Sequence, residues 1–289
     1  MAFQELVGTL LRLGREVNSL AAIGAQVAAD GPKGALADHT RAVADAVAPT
    51  ALDGLSDDER RQAHATIRAA LRQALELVEH PARSEGWDFD DPVLLNGQGR
   101  SSMAIARMIC GFADREEQVG TRLSAEGARF LDVGSGAGWI SIAMARAFPG
   151  LQVDGIDIHA PALEVARSNL AETGLDQRID FQDRNVLEAG EMAVYDAIWL
   201  PLMFLPDAVA RQAISILADR LKPGGCLFAG NFRLSEDPLS SALAQLQATR
   251  AGGRVWDASE VRELCEAEGL SQIGDAGEGT GVMVLAMRR

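Results

Sequence analysis

Three glycines within five residues, Gly134, Gly136 and Gly138, constrain this 289-residue chain more than any other feature. Before them, Ala128-Arg129-Phe130 is a short apolar approach that reads as a buried strand. After them, Ile140, Ile142, Ala143, Ala145 and Ala147 are apolar at helical spacing. Strand, glycine turn and helix, in that order, is the context in which a glycine-rich pattern carries meaning. The spacing is G-x-G-x-G and departs from the G-x-G-x-x-G of dinucleotide folds. Glycine lets backbone approach a ligand closely, and Asp132 at the strand's end can accept hydrogen bonds or hold the loop.

A second strand, Leu151 to Ile156, ends in Asp157-Ile158. Asp157 follows Gly134 by 23 positions (157 − 134), close to the length of a strand-helix-strand unit. An acid at that tip is placed to grip a ribose diol through paired hydrogen bonds. A glycine turn and an acid at this separation say much more together than either says alone.

Residues 128 to 231 resemble the core of a class I S-adenosylmethionine-dependent methyltransferase. Asp132-Val133-Gly134-Ser135-Gly136-Ala137-Gly138 is similar to that family's signature loop, and Asp157 to its ribose acid. Leu221-Lys222-Pro223-Gly224-Gly225 is similar to the turn before its fifth strand. The first 85 or so residues match poorly. The resemblance implies an α/β fold, a Rossmann-like doubly wound seven-stranded sheet with an antiparallel last strand inserted, here joined to an N-terminal all-helical domain. It implies S-adenosyl-L-methionine as cofactor, held by Asp132, Gly134, Ser135, Gly136, Gly138, Trp139, Asp157, Ile158, Asn185, Val186 and Leu200. The family's adenine acceptor is usually an acid. Its place falls at Asn185, with Asp183 near enough to leave the register open, and an Asn carbonyl can accept from the amine without the charge.

The alternation of strands and helices after 128 marks a parallel, doubly wound sheet. Arg178 to Phe181 reads as the third strand, Val194 to Leu200 as the fourth and Gly225 to Gly230 as the fifth, with Asp207 to Leu221 helical. Asp257 with Glu260 starts a further helix to Glu268, Gly269-Leu270 turns it, and Gly281 to Met287 is a final strand. Residues 1–85 form a helical domain: apolar residues recur at helical spacing, Gly31-Pro32 interrupts them, and Ser56 with Glu59 is a capping-box signature. Those helices cannot hide all their apolar faces alone, so they pack on the core domain or on a second subunit, a homodimer. Residues 86–115 are a connector and lid and 116–289 the methyltransferase domain. The irregular stretch to Arg100 precedes a helix from Met103 to Phe112 capped by Ser101 or Ser102. It carries Trp87, Asn96, Gln98 and Arg100, and reads either as a lid over the substrate or as a hinge anchored by Trp87.

With 27 Lys and Arg against 41 Asp and Glu, the formal charge of −14 repels phosphate backbones. That disfavours nucleic acid and points to a small-molecule substrate. No run of 18 uncharged apolar residues exists, so no membrane partner is expected. Cys110, Cys226 and Cys265 lack any metal or disulfide spacing and fit a cytoplasmic protein. No metal site is read: Asp88, Asp90 and Asp91 lack the glycine and terminal Glu of a calcium loop, and His39, His64 and His80 suit surface or capping roles.

Methyl transfer needs chiefly alignment of acceptor, methyl and sulfur, and alignment can lower a barrier by on the order of 7–11 kcal/mol. A base is needed only for an acceptor protonated at working pH. Related O-methyltransferases often place a His after the fourth strand. Here Leu202-Met203-Phe204 stand there, so no catalytic residue is assigned, and His159 lies on the ribose side. The acceptor is then already anionic, an amine or a nucleophilic carbon, or the base comes from the lid or the Asp237 region. Met203 and Phe204 suggest an apolar pocket, and Asn231 and Arg233 can orient a polar group. Asp237 to Leu243 with Ala251-Gly252-Gly253-Arg254 resembles an insertion that walls the substrate pocket in bacterial small-molecule O-methyltransferases. Two rivals stand: another transfer reaction on the same cofactor fold, and a non-catalytic cofactor-binding or partner subunit.

Overall fold

A computed structural model describes residues 2–276 and 281–288. The chain divides into two units, the first ending at Pro81 and reclaiming Asn96–Ser101, the second comprising Ala82–Leu95 and Ser102–Arg289.

The first unit is built on α1 (Ala2–Val27), α2 (Ala35–Val47) and α3 (Asp57–Glu79). Its small core gathers Val27, Ala44 and Leu52, with Ile23, Leu55, Ala63 and Ile67 packed against them. Ser56 accepts from the Glu59 backbone while the Glu59 carboxylate takes the Ser56 N–H, the reciprocal cap that the sequence suggests. Against α3 lies one stretch of α4 (Pro92–Arg115). The connector is therefore helical eleven residues earlier than expected (103 − 92): Asp91 caps it by accepting from Val93 N–H at 2.9 Å, and Pro92 opens it. Gly97 and Gly99, which read as loop formers, are helical. At Gly97 a Cβ would sit 2.7 Å from the Ala65 carbonyl and 2.9 Å from the Ala69 Cβ, so glycine is there for close helix approach.

In the second unit α5 (Glu117–Leu123) leads into a seven-stranded sheet ordered β3-β2-β1-β4-β5-β7-β6. The strands are β1 (Arg129–Val133), β2 (Gln152–Asp157), β3 (Ile179–Asp183), β4 (Tyr195–Pro201), β5 (Leu221–Phe232), β6 (Leu270–Ala276) and β7 (Gly281–Arg288). The first five are parallel, and β7 runs antiparallel between β5 and β6. This is the Rossmann-like doubly wound sheet. Strand β5 begins at Leu221, earlier than Gly225. Strand β6 starts within the expected turn Gly269-Leu270 and runs through residues that carry no strand pattern of their own.

Residues alternate between the faces as a pleated strand requires. Phe130, Trp199 and Phe228 face a core with α4, α5, α6 (Trp139–Ala147) and α7 (Ala160–Ala171), while Leu131, Ile198, Leu200 and Leu227 face α8 (Asp207–Arg220) and α10 (Ala258–Ala267). The chain moves outward from β1 to β2 and β3, then returns to β4 beside β1. The connections leaving the tops of β1 and β4 thus diverge, and that crevice is where open α/β sheets take ligands.

Gly138 shows how tightly the crevice is set. Its φ is +80°, and a Cβ there would lie 2.5 Å from Phe181 Cζ and 3.1 Å from Ala166 Cβ. Gly174, with φ +69° and open space around it, carries the backbone requirement without the clash. Chemical denaturation should show Gly138→Ala destabilised by about 2–4 kcal/mol and Gly174→Ala by about 1 kcal/mol, the difference being steric.

Candidate functional site

The glycine loop leaves β1 at Val133 and enters α6 at Trp139, with Gly134, Gly136 and Gly138 at φ +66°, +51° and +80°. Left-handed backbone at alternate positions favours glycine at all three. The loop is sewn to the end of β2: Gly134 and Ser135 N–H donate to the Ile156 carbonyl at 2.8 and 3.1 Å. From α7, Asn169 Nδ2 donates to the Ala137 carbonyl at 2.9 Å.

Asp157, at the tip of β2, closes the structure. Its Oδ2 accepts from Gly136 N–H at 2.8 Å and its Oδ1 from His159 N–H at 2.9 Å. Burial raises its carboxyl above the ordinary range, against those backbone donors and His159, which lower it. Ile158 beside it is 70% exposed, an unusual amount for a large aliphatic residue at a strand tip.

Asp132 is wholly buried at the top of β1. Its Oδ2 accepts from Ser141 Oγ at 2.6 Å, while Oδ1 has no partner among the described residues. Ser135 Oγ is likewise buried and unpartnered. Desolvation pushes the Asp132 carboxyl up to about 7 despite the Ser141 hydrogen bond. Unsatisfied buried polar atoms are rare enough to call for a reason, and two of them, one just before and one within a glycine loop, are suited to a polar ligand.

Other expected cofactor positions fall differently. Trp139 begins α6 and is mostly buried. Asn185 uses its side-chain oxygen to accept from Leu187 N–H at 3.0 Å, capping the short turn that starts at the buried Val186. Asp183, its alternative, is exposed at the end of β3. Leu200 is completely buried in the α8 face of the sheet, so its side chain is a core element.

The tops of β4 and β5 carry aromatic side chains. Phe204, just after β4, stacks on Trp87 with centroids 6.4 Å apart, and Phe232, near the end of β5, meets Phe204 edge-on at 5.9 Å. Trp87 also packs edge-on against Phe89 at 5.0 Å. Met203 is buried beside Phe204, and at Gly253 a Cβ would lie 2.2 Å from the Met203 carbonyl. The 251–254 turn, which comes after α9 (Pro238–Arg250), therefore presses on the end of β4.

The remaining expected substrate contacts separate. Asn231 is buried and committed: its amide N donates to the Trp256 carbonyl and its oxygen accepts from Trp256 N–H at 3.1 Å, making it a framework strut. Arg233 is exposed past β5. Asn96, Gln98 and Arg100 lie in the helical stretch belonging to the first unit, where Gln98 accepts from Gln73 Nε2 at 3.0 Å and the Arg100 carbonyl from Gln62 Nε2 at 3.1 Å. Asp237 caps α9, and its Ser240 hydrogen bonds hold its carboxyl below the ordinary range, which ill suits a base. Sequence reasoning missed Ser141 and Phe232. The signal for Ser141 was a lone hydroxyl on an otherwise apolar helix face.

Among the described residues no group of three or more His, Cys, Asp or Glu is arranged to hold a metal. None of the helices, over the same residues, is long and apolar enough to cross a membrane. A groove lined by Glu117, Gln118, Thr121, Arg122, Ala125 and Asp196 opens by the start of β4, opposite the crevice. Asp196 in it is already matched to Lys222 at 2.6 Å and Arg122 at 3.2 Å.

Residues 130–225 match the model of a methyltransferase domain. A ubiquinone biosynthesis O-methyltransferase of Xanthomonas euvesicatoria pv. vesicatoria is 38% identical over 138 residues, 46% of this chain and 54% of that protein. A ribosomal protein uL3 glutamine methyltransferase of Bordetella pertussis is 46% identical over 70 residues, 24% of each chain. The chain thus spans about half, or less, of the length of the curated relatives it matches. Among solved structures, the mitomycin 7-O-methyltransferase MmcR superposes with a TM-score of 0.64 at 19% identity, over 100% of this chain and 98% of that one. The pyocyanin biosynthetic protein PhzM gives 0.66 at 17%, over 100% and 99%. These two establish likeness of fold.

The pH behaviour of Asp132 is testable without ligand. Its folded-state value lies above the ordinary 3.8, so the folded chain holds that proton more tightly than the unfolded chain. Stability from this group is greatest near pH 4 and is lost as pH rises to about 7. Melting curves should place ligand-free Asp132→Asn ~2–6 °C above wild type at pH 8, with the two converging near pH 4.

Proposed function

We propose that this chain, which carries a class I S-adenosylmethionine-dependent methyltransferase domain with S-adenosylmethionine as cofactor, methylates a small molecule, most simply at oxygen. The observation that carries the cofactor site is the pairing of two unpartnered buried atoms, Asp132 Oδ1 and Ser135 Oγ, with a left-handed glycine loop pinned to Asp157. Asp157 accepts the ribose hydroxyls, the loop lets backbone approach the amino-acid portion, and Ile158 offers an apolar edge to the base. A cation suits Asp132, because a neighbouring positive charge stabilises the ionised form that burial disfavours.

When bound, the cofactor supplies a methyl carbon made electrophilic by its sulfonium. The chain positions the acceptor and excludes water, and the aromatic group of Trp87, Phe204 and Phe232 suits both tasks. No titratable side chain lines the turn after β4, where Leu202-Met203-Phe204 stand. The acceptor best matched to this wall is a flat, apolar ring bearing an ionised oxygen, such as a phenolate or aromatic carboxylate, which needs no base.

The helical unit supports a homodimer. The first half of α1 leaves Phe3 75%, Leu10 56% and Leu11 70% exposed, and burying such side chains stabilises association by about 1.5–3 kcal/mol each. The reading extends to a cytoplasmic setting, in keeping with three free cysteines.

Incubation with methyl-labelled cofactor and a panel of phenols, aromatic acids and amines should label a phenol or acid. Tight cofactor binding with no labelling anywhere in the panel favours the non-catalytic subunit instead. Asp157→Ala should weaken cofactor binding by ~1–3 kcal/mol in calorimetry. Phe204→Ala should instead raise the acceptor's KM several-fold at unchanged cofactor affinity. Light scattering should report a dimer for wild type and a monomer for Leu10→Glu/Leu11→Glu, and a wild-type monomer removes the dimer.

A further inference from the structure

One segment touches both halves of the crevice. Residues 82–91 run across the second unit as an irregular strap, and three fastenings hold it. Gly86 N–H donates to the Arg250 carbonyl at 3.2 Å, at the end of α9. Trp87 stacks on Phe204 on the acceptor side. At the other end the Phe89 carbonyl lies 2.9 Å from His159 Nε2. A carbonyl can only accept, so Nε2 carries the proton and the imidazole donates. The Asp90 carboxylate, 3.7 Å from the same nitrogen, adds attraction whenever the ring is charged. Phe89 itself is buried, with the Arg83 guanidinium 4.0 Å above its ring.

His159 is equally tied to the cofactor side. Its backbone N–H donates to Asp157 Oδ1, and Asp157 Oδ2 accepts from Gly136 in the glycine loop. A single unbroken series of hydrogen bonds therefore runs from the loop through Asp157 and His159 to the strap that carries Trp87. We propose that His159 is a positioning residue that couples occupation of the cofactor site to the placement of Trp87 against the acceptor. This rests on the reading of the loop and Asp157 as the cofactor site. Hydroxyls donating to Asp157 fix its carboxylate, which fixes the His159 backbone and directs Nε2 onto the Phe89 carbonyl. Coupling of this kind is reciprocal, so a pinned strap also tightens cofactor binding.

The chemistry of the contact selects the test. Gln places an amide N–H close to where His Nε2 lies, whereas Asn reaches only as far as Nδ1. Hydrogen–deuterium exchange on wild type, His159→Gln and His159→Asn, each saturated with S-adenosylhomocysteine, reads both ends of the series. Residues 134–138 should be protected in all three proteins. Residues 82–91 should slow by about fivefold on saturation in wild type and His159→Gln, and not in His159→Asn. Calorimetry should show His159→Asn binding S-adenosylhomocysteine about fivefold more weakly, with His159→Gln near wild type. Protection of 134–138 in every protein together with an equally protected strap in His159→Asn overturns the coupling and leaves the cofactor site standing. No protection of 134–138 in any of them overturns the cofactor reading and the coupling with it.

Discussion

The Asp157 carboxylate is the interaction on which the site depends. One oxygen holds Gly136 and the other holds His159, so a single acid fixes the loop after β1 relative to the tip of β2. Parallel pairing brings the two strands side by side, with Val133 opposite Ile156. The Gly134 and Ser135 N–H groups hold the start of the loop to the Ile156 carbonyl, and Asn169 holds its far side at Ala137. The carboxylate holds the middle of the loop, at Gly136.

That arrangement has an electrostatic cost. Asp132 is fully buried and Asp157 partly so, both are pushed up by desolvation, and Asp157 raises Asp132 further. Burying an ionised carboxylate without a counter-charge is expensive. A structure selected for stability alone has little use for an acid in a wholly buried strand with one oxygen unmatched. A ligand that brings positive charge and hydroxyl donors relieves both defects, and S-adenosylmethionine carries both.

Much of this is legible in the residues. The glycine spacing and the acid 23 positions later (157 − 134) locate the loop, β1, β2 and the crevice, because those features express backbone constraints confined to a short window. The features that escape depend on contacts between distant segments. Gly97 lies in a stretch that reads as irregular, yet close approach to Ala65 and Ala69 on α3 makes it a packing residue inside a long helix. The Asp91-Pro92 pair is the true start signal of α4, although Ser101 and Ser102 offer a competing one nearer the apolar run. Strand β6 is an edge strand with a register shift between Gln272 and Gly274, so no clean alternation marks it. Asn231 looks ready for a substrate, and only the fold shows its amide spent on Trp256. The His159–Phe89 contact joins positions 70 residues apart and has no trace in local sequence.

The aromatic cluster proposed for the acceptor offers shape more than charge. Trp87, Phe204 and Phe232 come from the strap, the end of β4 and the end of β5, and the turn after α9 seats Gly253 under Met203. Aromatic walls assembled from separate connections can change acceptor without disturbing the sheet, which is how one fold serves many substrates.

A crystal structure of the chain grown with S-adenosylhomocysteine would show where the nucleoside sits. Density for the nucleoside is expected over the tops of β1 and β2, with both ribose hydroxyls on the Asp157 carboxylate and the amino-acid end against the 134–138 backbone. Density for the same molecule elsewhere, with this crevice empty and Asp157 still engaged only by Gly136 and His159, contradicts it.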